Sequence, residues 1–269
     1  MRSKEDDRVG LPPVNDAAAA SSARVHDYLL GGKDNFQADR DVAARLLTLY
    51  PRSRETVAQS RGFLIRAVRY LACEAGIRRF LDIGAGLPTQ NNVHQVAQEH
   101  APDSRIVYVD NDPMVLVHAR ALLACDTGVE VAEGDVRAPD RILNAPAVRL
   151  LLEPREPVAL LMVGLLEFIA DCEQARRAVA TLLAALPSGS YLVITHSVDD
   201  ARYRDVIHQA QHAYASATVA FVTRPREQIV RFLDGLQVLS PGVVQVSRWR
   251  PDTISRPCPA TAAAVARKP

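Results

Sequence analysis

Five short apolar runs, each separated from the next by a stretch of helical periodicity, span residues 79 to 197 and restrict this chain to an α/β architecture. The runs are RRFLDIG, RIVYVD, VEVAEGD, PVALLMVG and SYLVITHS. Most of them lack the polar alternation of a half-solvated strand, as expected for a parallel sheet covered by helices on both faces. The intervals carry helix signals. NNVHQVAQEH follows the first run, a helix from Pro113 with Asp112 as its N-cap follows the second, and Asp171 with Gln174 opens a helix after the fourth in the pattern of a capping box.

The flanks extend this scheme. Two helices precede the first strand. One follows DNFQADRD, with Val42, Leu46 and Leu49 on one face and Pro51 as its stop; the other runs from Ser53 to Gly76 with Val57, Leu64, Val68, Leu71 and Ala75 at helical spacing. After the fifth strand come a helix containing Tyr203 and Ile207, then one from Pro225 with Ile229 and Phe232 inward and Gly235 as terminator. LQVLSPGVVQVSRW reads as an antiparallel hairpin turning at Ser240-Pro241-Gly242. The expected fold is a Rossmann-like, seven-stranded, mostly parallel sheet with a terminal hairpin and extra N-terminal helices. One domain over residues 21–252 suits the length, with 21–76 as lid and leading helices; residues 1–20 and 253–269 read as weakly ordered tails.

Composition excludes several functions. Lys and Arg total 32 against 31 Asp and Glu, for a formal net charge of +1, and no basic stripe is present to follow a phosphate backbone. Nucleic acid is not the expected partner. Cys73, Cys125, Cys172 and Cys258 are widely spaced, with neither C-x-x-C pairing nor His at metal-ligand spacing, so free thiols and no metal are expected. The charged start MRSKEDDRVG and the lack of a membrane-length apolar run point to a cytoplasmic protein away from the membrane. Oligomeric state is left open.

The chemistry concentrates in FLDIGAGLPTQ. Gly84 and Gly86 form a turn from a strand into a helix, where glycine permits positive φ and close approach of a ligand to the backbone. The third glycine of a dinucleotide fingerprint is replaced by Thr89, which disfavours an NAD-linked oxidoreductase. Asp82 stands two residues before Gly84, where a carboxylate repels a pyrophosphate and attracts a cationic or amine-bearing ligand. Asp110 ends the second strand, the usual place for an acid that accepts ribose hydroxyls, and Asp135 follows the third. Asn111 and Val136 adjoin them. Each acid alone also suits a cap or a solvated loop, but their spacing follows strand order toward one crevice.

FLDIGAGLPT, VYVDNDPMVLVHARALL and the upstream VHDYLLGGKDNFQADR together resemble the actinobacterial S-adenosylmethionine-dependent methyltransferase family first catalogued as a domain of unknown function. The resemblance covers about residues 22 to 252. It implies a class I methyltransferase fold, S-adenosyl-L-methionine as cofactor, and a methyl acceptor that the family leaves unassigned. One departure stands out: GLLEF carries Glu167 where the family pattern leads one to expect His.

DYLLGGKDNF suits a lid over the cofactor. Gly31 and Gly32 allow a tight turn, Tyr28 or Phe36 would cover the adenine or the sulfonium, and Tyr28, Gly32, Lys33 and Asn35 join the cofactor set; the plainer alternative is a glycine turn before a helix. Methyl transfer from an activated donor chiefly requires alignment and desolvation, and a general base is optional. Glu167 after the fourth strand and His196 at the end of the fifth are the candidates. The other histidines, His26, His94, His100, His118, His208 and His212, read as surface or packing residues. Trp249 and Arg250 are expected to pack, with a cation on the indole as the alternative. The leading function is methyl transfer to a small molecule; the alternative is a protein that binds the cofactor without catalysis, as a sensor or partner module.

Overall fold

The computed structural model describes residues 19–88, 91–123, 126–215, 220–253 and 261–269. Thr89, Cys125 and Cys258 lie outside them, as do residues 1–18. Three helices open the described chain: α1 (Ser22–Leu29), α2 (Gln37–Leu49) and α3 (Ser53–Cys73). The alternating section follows as β1 (Arg79–Ile83), α4 (Val93–His100), β2 (Arg105–Asp110), α5 (Pro113–Leu123), β3 (Val129–Glu133), α6 (Pro139–Asn144), α7 (Pro146–Leu152), β4 (Val158–Met162), α8 (Cys172–Ala185) and β5 (Tyr191–Ser197). Then come α9 (Arg204–Ala215), α10 (Arg226–Val230), β6 (Gln237–Val238), β7 (Val244–Gln245) and β8 (Thr261–Arg267).

The strand order is β3-β2-β1-β4-β5-β8-β6, with β7 also on β8. β1 to β5 are mutually parallel, and β8 runs antiparallel to β5 over its whole length. The sheet therefore has eight strands, and the expected hairpin is not formed. β6 and β7 both pair antiparallel with β8, so they run in the same direction and share one edge as two pieces. From Val238 to Val244 the edge advances six residues while β8 advances three, from Ala266 to Ala263, so the Ser240-Pro241-Gly242 segment bulges out of the ladder. Residues 261–267, which read as part of a tail, supply the penultimate strand.

Strand residues alternate between two packed faces. Leu81, Val107, Leu160 and Leu192 meet α6, α7 and α8 on one side, with Ile142, Val148, Ala175 and Val179. Phe80, Ile106, Leu161 and Val193 meet α3 and α4 on the other, with Phe63, Val68, Leu71 and Val96. Trp249 is buried there, with its ring 5.5 Å from that of Phe63. Arg250 stacks over Tyr70 at 3.9 Å and Trp249 at 5.2 Å, so packing and the cation contact coexist.

A third cluster stands apart from the sheet. Val25 and Leu29 of α1, Val42 and Leu46 of α2, and Ala213 and Tyr214 of α9 pack together, so the N-terminal helices and α9 form a roof. Asp39 pins that roof. It accepts from the Ser21 N–H at 2.8 Å, the Phe36 N–H at 2.8 Å and Arg24 Nε at 2.8 Å. Among the described residues no helix is long and apolar enough to cross a membrane.

Candidate active site

A cavity of about 660 Å³ lies between this roof and the carboxyl ends of β1, β2, β4 and β5, where open α/β sheets bind ligands. Asp82, Gly84, Ala85, Gly86, Asp110, Asn111 and Asp112 line its floor on the β1–β2 side. Gly84 and Gly86 have φ of +71° and +66°, which confirms the turn read from FLDIGAGLP. They differ in surroundings. A side chain on Gly84 would strike Leu165 Cδ1 at 2.6 Å, whereas one on Gly86 would meet open space. The β4 exit thus sits directly against the glycine turn.

Asp110 is buried. Its Oδ2 accepts from the Gly86 N–H and its Oδ1 from the Asp112 N–H, each at 2.9 Å, so it holds the glycine turn and the α5 entrance in one geometry. Burial pushes its acidity down despite these donors. Asp82 is pushed up to about 7 by burial; the nearby Arg61 opposes this and Asp110 adds to it. Asp112 caps α5 by accepting from the Met114 N–H at 2.9 Å, and its other oxygen accepts from Ser21 Oγ at 2.5 Å.

The three expected acids are not all brought together. Asp135 lies outside the cavity lining, accepting from the Arg137 N–H at 2.8 Å and Arg137 Nε at 2.9 Å. Partial burial would raise its carboxyl, but Arg137 outweighs this and holds it below the usual range. Val136 points into the core under the sheet. Asp112, read from sequence only as a cap, takes the third place at the rim.

The DYLLGGKDNF segment is organised from within. Asp27 Oδ2 accepts from the Asp34 N–H at 3.0 Å and Asn35 Nδ2 at 2.8 Å, and a side chain on Gly32 would overlap the Asp27 carboxylate. Gly32 and Asn35 are therefore turn-building residues outside the lining, Lys33 is exposed, and Tyr28 lies beneath Arg54, whose guanidinium sits 5.0 Å from the ring. What faces the cavity is the face of α1 bearing Arg24 and Asp27, together with His26 and Phe36. His26, read as a surface or packing residue, is solvent-accessible at the cavity wall; desolvation by the surrounding protein, followed by Arg61, lowers it to about 4. The helical spacing of Arg24 and Asp27 was the available signal for this inward face.

On the β4–β5 side the cavity is apolar, lined by Leu165, Phe168, Val198, Ile207, Ala210, Tyr214 and Phe221, with Glu167 among them. Glu167 sits on a 3-10 turn, Leu166–Phe168; it is 6% exposed, and its Oε2 has no hydrogen-bond partner. Burial raises it to about 7, opposed by its own N–H and by Arg224. His196 is placed differently from Glu167. It does not line the cavity: Nδ1 is 2.8 Å from the Ser197 carbonyl, and Nε2 is 2.6 Å from Arg224, which also donates to the Leu166 and Ile169 carbonyls. His196 therefore stands outside the cavity lining and behind Arg224, which holds the turn that carries Glu167. No cluster of three or more His, Cys, Asp or Glu suited to a metal occurs among the described residues.

A parallel sheet with an antiparallel penultimate strand, and a cavity over a glycine turn flanked by strand-end acids, define a class I methyltransferase fold. The sequence matches the family described as S-adenosyl methyltransferase over residues 11–269, and the chain belongs to it. Its structure is similar to that of a DUF574 family protein from Streptomyces avermitilis, at 39% identity, covering 94% of this chain and 99% of that one with a TM-score of 0.88. A candidate methyltransferase from Thermobifida fusca is similar at 40% identity, covering 97% and 99%, again with a TM-score of 0.88. An O-methyltransferase family 2 protein from Planctomyces limnophilus shares the fold at 17% identity, covering 91% of this chain and 65% of that one, with a TM-score of 0.51. No functionally curated protein matches the sequence. The protein is an S-adenosylmethionine-dependent methyltransferase, and its cofactor is S-adenosyl-L-methionine.

Proposed function

We propose that this methyltransferase acts on a small molecule, and that its cofactor lies along the β1–β2 side of the cavity with the acceptor on the β4–β5 side. The observation that carries the reading is Asp110, buried at the end of β2, locked to the Gly86 N–H and open to the cavity beside Asn111. A carboxylate there accepts ribose hydroxyls, and the space above Gly86 admits the nucleoside against the backbone. The donor set fits the group: Asp82 and Asp27 are acids facing a ligand that carries an ammonium and a sulfonium.

The cofactor supplies a methyl group on a positively charged sulfur, already activated for displacement. The protein aligns the acceptor and excludes water, and the roof of α1, α2 and α9 supports the second role. Asp135, Val136, Tyr28, Gly32, Lys33 and Asn35 lie outside the cavity lining and make no cofactor contact in this reading. A concave cavity under the roof of α1, α2 and α9 also favours a small molecule over a polymer as acceptor. The experiment is calorimetric titration of S-adenosylmethionine and S-adenosylhomocysteine into wild-type and Asp110→Asn protein. Binding to the wild type with a loss of roughly tenfold or more in the variant is expected; equal affinity for both proteins counts against the assignment.

A further inference from the structure

The β4–β5 side of the cavity combines two features that the cofactor does not use. The first is a ring-lined wall. Phe168, Tyr214 and Phe221 form a mutual cluster with centroids 5.1–5.9 Å apart, and Tyr50 meets Tyr203 at 6.1 Å across the gap between α2 and the α9 entrance. All five line the cavity, with Ile207, Ala210, Val57 and Leu64. The second is Glu167, the buried carboxyl whose Oε2 lacks a partner. Its turn follows Leu165, which packs on Gly84, so the turn that carries the carboxyl adjoins the glycine turn.

An orphaned buried acceptor is costly unless a ligand supplies its donor. We propose that the acceptor is a neutral, ring-bearing, largely apolar molecule that presents one aromatic O–H or N–H group to the Glu167 carboxylate. This rests on the cofactor placement above and adds the acceptor's chemical class. Anionic acceptors are disfavoured because the cavity's cations already face acids: Arg24 lies 2.8 Å from Asp39, and Arg61 faces Asp82. Arg224, beneath Glu167, is committed to two carbonyls and His196.

In the reaction the oxygen or nitrogen lone pair of the acceptor forms a bond to the methyl carbon, and the carbon–sulfur bond breaks with its electrons passing to sulfur. The proton lost by the acceptor passes to the Glu167 carboxylate and then to solvent. The products are the methylated acceptor, S-adenosylhomocysteine and a proton. The groups facing Glu167 are Arg224, with His196 behind it, and Tyr214 from α9.

The test uses 2-naphthol and 4-phenylphenol as probes, with naphthalene-2-carboxylate as the anionic counterpart, titrated into protein saturated with S-adenosylhomocysteine. At least one phenol is expected to bind, the carboxylate not, and Glu167→Gln to weaken phenol binding roughly tenfold while leaving S-adenosylhomocysteine affinity unchanged. Ala210→Phe, which fills the apolar side, is expected to abolish phenol binding and spare S-adenosylhomocysteine. With S-adenosylmethionine, mass spectrometry should find one added methyl group on the bound phenol. Preference for the carboxylate, indifference to Glu167→Gln or Ala210→Phe, or no phenol binding to protein that holds S-adenosylhomocysteine overturns the proposal alone. Failure of S-adenosylhomocysteine to bind the wild type overturns the cofactor placement with it.

Discussion

Arg224 reaches His196 across 2.6 Å, guanidinium to Nε2, in a site where both side chains are shielded from solvent. The imidazole accepts there, which leaves its Nδ1–H to donate to the Ser197 carbonyl. The same guanidinium donates to the carbonyls of Leu166 and Ile169, so it clamps both ends of the turn that carries Glu167. Replacing Arg224 by Leu strands two carbonyls and an imidazole lone pair. Chemical denaturation should register a loss of about 2–4 kcal/mol. His196→Gln retains an acceptor and should cost about 1–2 kcal/mol, with cofactor affinity unaltered. A large fall in that affinity would place His196 in the binding machinery.

Glu167 gives a pH signature of its own. Its carboxyl is held near 7 in the folded protein against 4.5 when unfolded. Between those values the folded state binds the extra proton. The contribution is complete at low pH and is lost as pH rises through 7. Substitution by Gln removes this dependence, so ligand-free Glu167→Gln should gain on the wild type by up to about 3 kcal/mol between pH 5 and pH 8. His26 and His196, both lowered to about 4, act in the opposite sense: their contribution is complete above 6.5 and is lost as pH falls toward 4. Unfolding curves at several pH values separate the two effects, because only the high-pH slope changes in the variant. An unchanged difference from pH 5 to 8 refutes the buried-carboxyl account.

The glycine turn admits a paired experiment. Gly84→Ala adds a methyl group against Leu165 at a positive φ, and should destabilise by about 2–4 kcal/mol. Gly86→Ala meets only the backbone penalty, about 1–2 kcal/mol. Its methyl projects into the open cavity, so S-adenosylhomocysteine affinity should fall by more than the stability loss explains. Thermal unfolding and calorimetry on both variants give the comparison. If Gly86→Ala binds the cofactor like wild type, the nucleoside does not approach that backbone.

The parallel core was legible because its evidence is local. RRFLDIG through SYLVITHS are short, mostly apolar runs, and the structure places a strand at each. The edge was not legible. TAAAVAR has neither alternation nor large side chains, yet Ala262 to Ala266 are buried because they lie between β5 and the split edge strand, where close packing favours small residues. No local pattern reports such a position. In the site, Asp82, Gly84, Gly86 and Asp110 were read from strand ends and line the cavity, whereas Asp135, paired with Arg137 two residues away, does not. His26, Arg61 and Arg224 arrive from the roof, from α3 and from the loop before α10. Their contacts form only after the chain has folded back on the sheet.

The roof itself rests on a charged pair. Arg24 and Asp39 are both buried; Asp39 also receives the Ser21 and Phe36 N–H groups, and Arg24 reaches toward Asp112 at 3.6 Å. The network ties α1 to α2 and to the rim of the cofactor side in one step. Arg24→Met keeps much of the side-chain volume and removes the charge, leaving the buried Asp39 carboxyl without its cationic partner. Breaking one partner of a buried pair typically costs about 3–5 kcal/mol, so the variant should unfold at lower denaturant and α1 should exchange its amide hydrogens faster. Replacing both partners, as in Arg24→Met with Asp39→Leu, should recover part of the loss, since the unpaired charge is gone. Hydrogen-exchange mass spectrometry on residues 22–29 distinguishes a charge-held roof from one held by Val25 and Leu29 against Val42 and Leu46. Faster exchange confined to Arg24→Met identifies the ion pair as the fastening, and exchange equal to wild type assigns the hold to the apolar contacts.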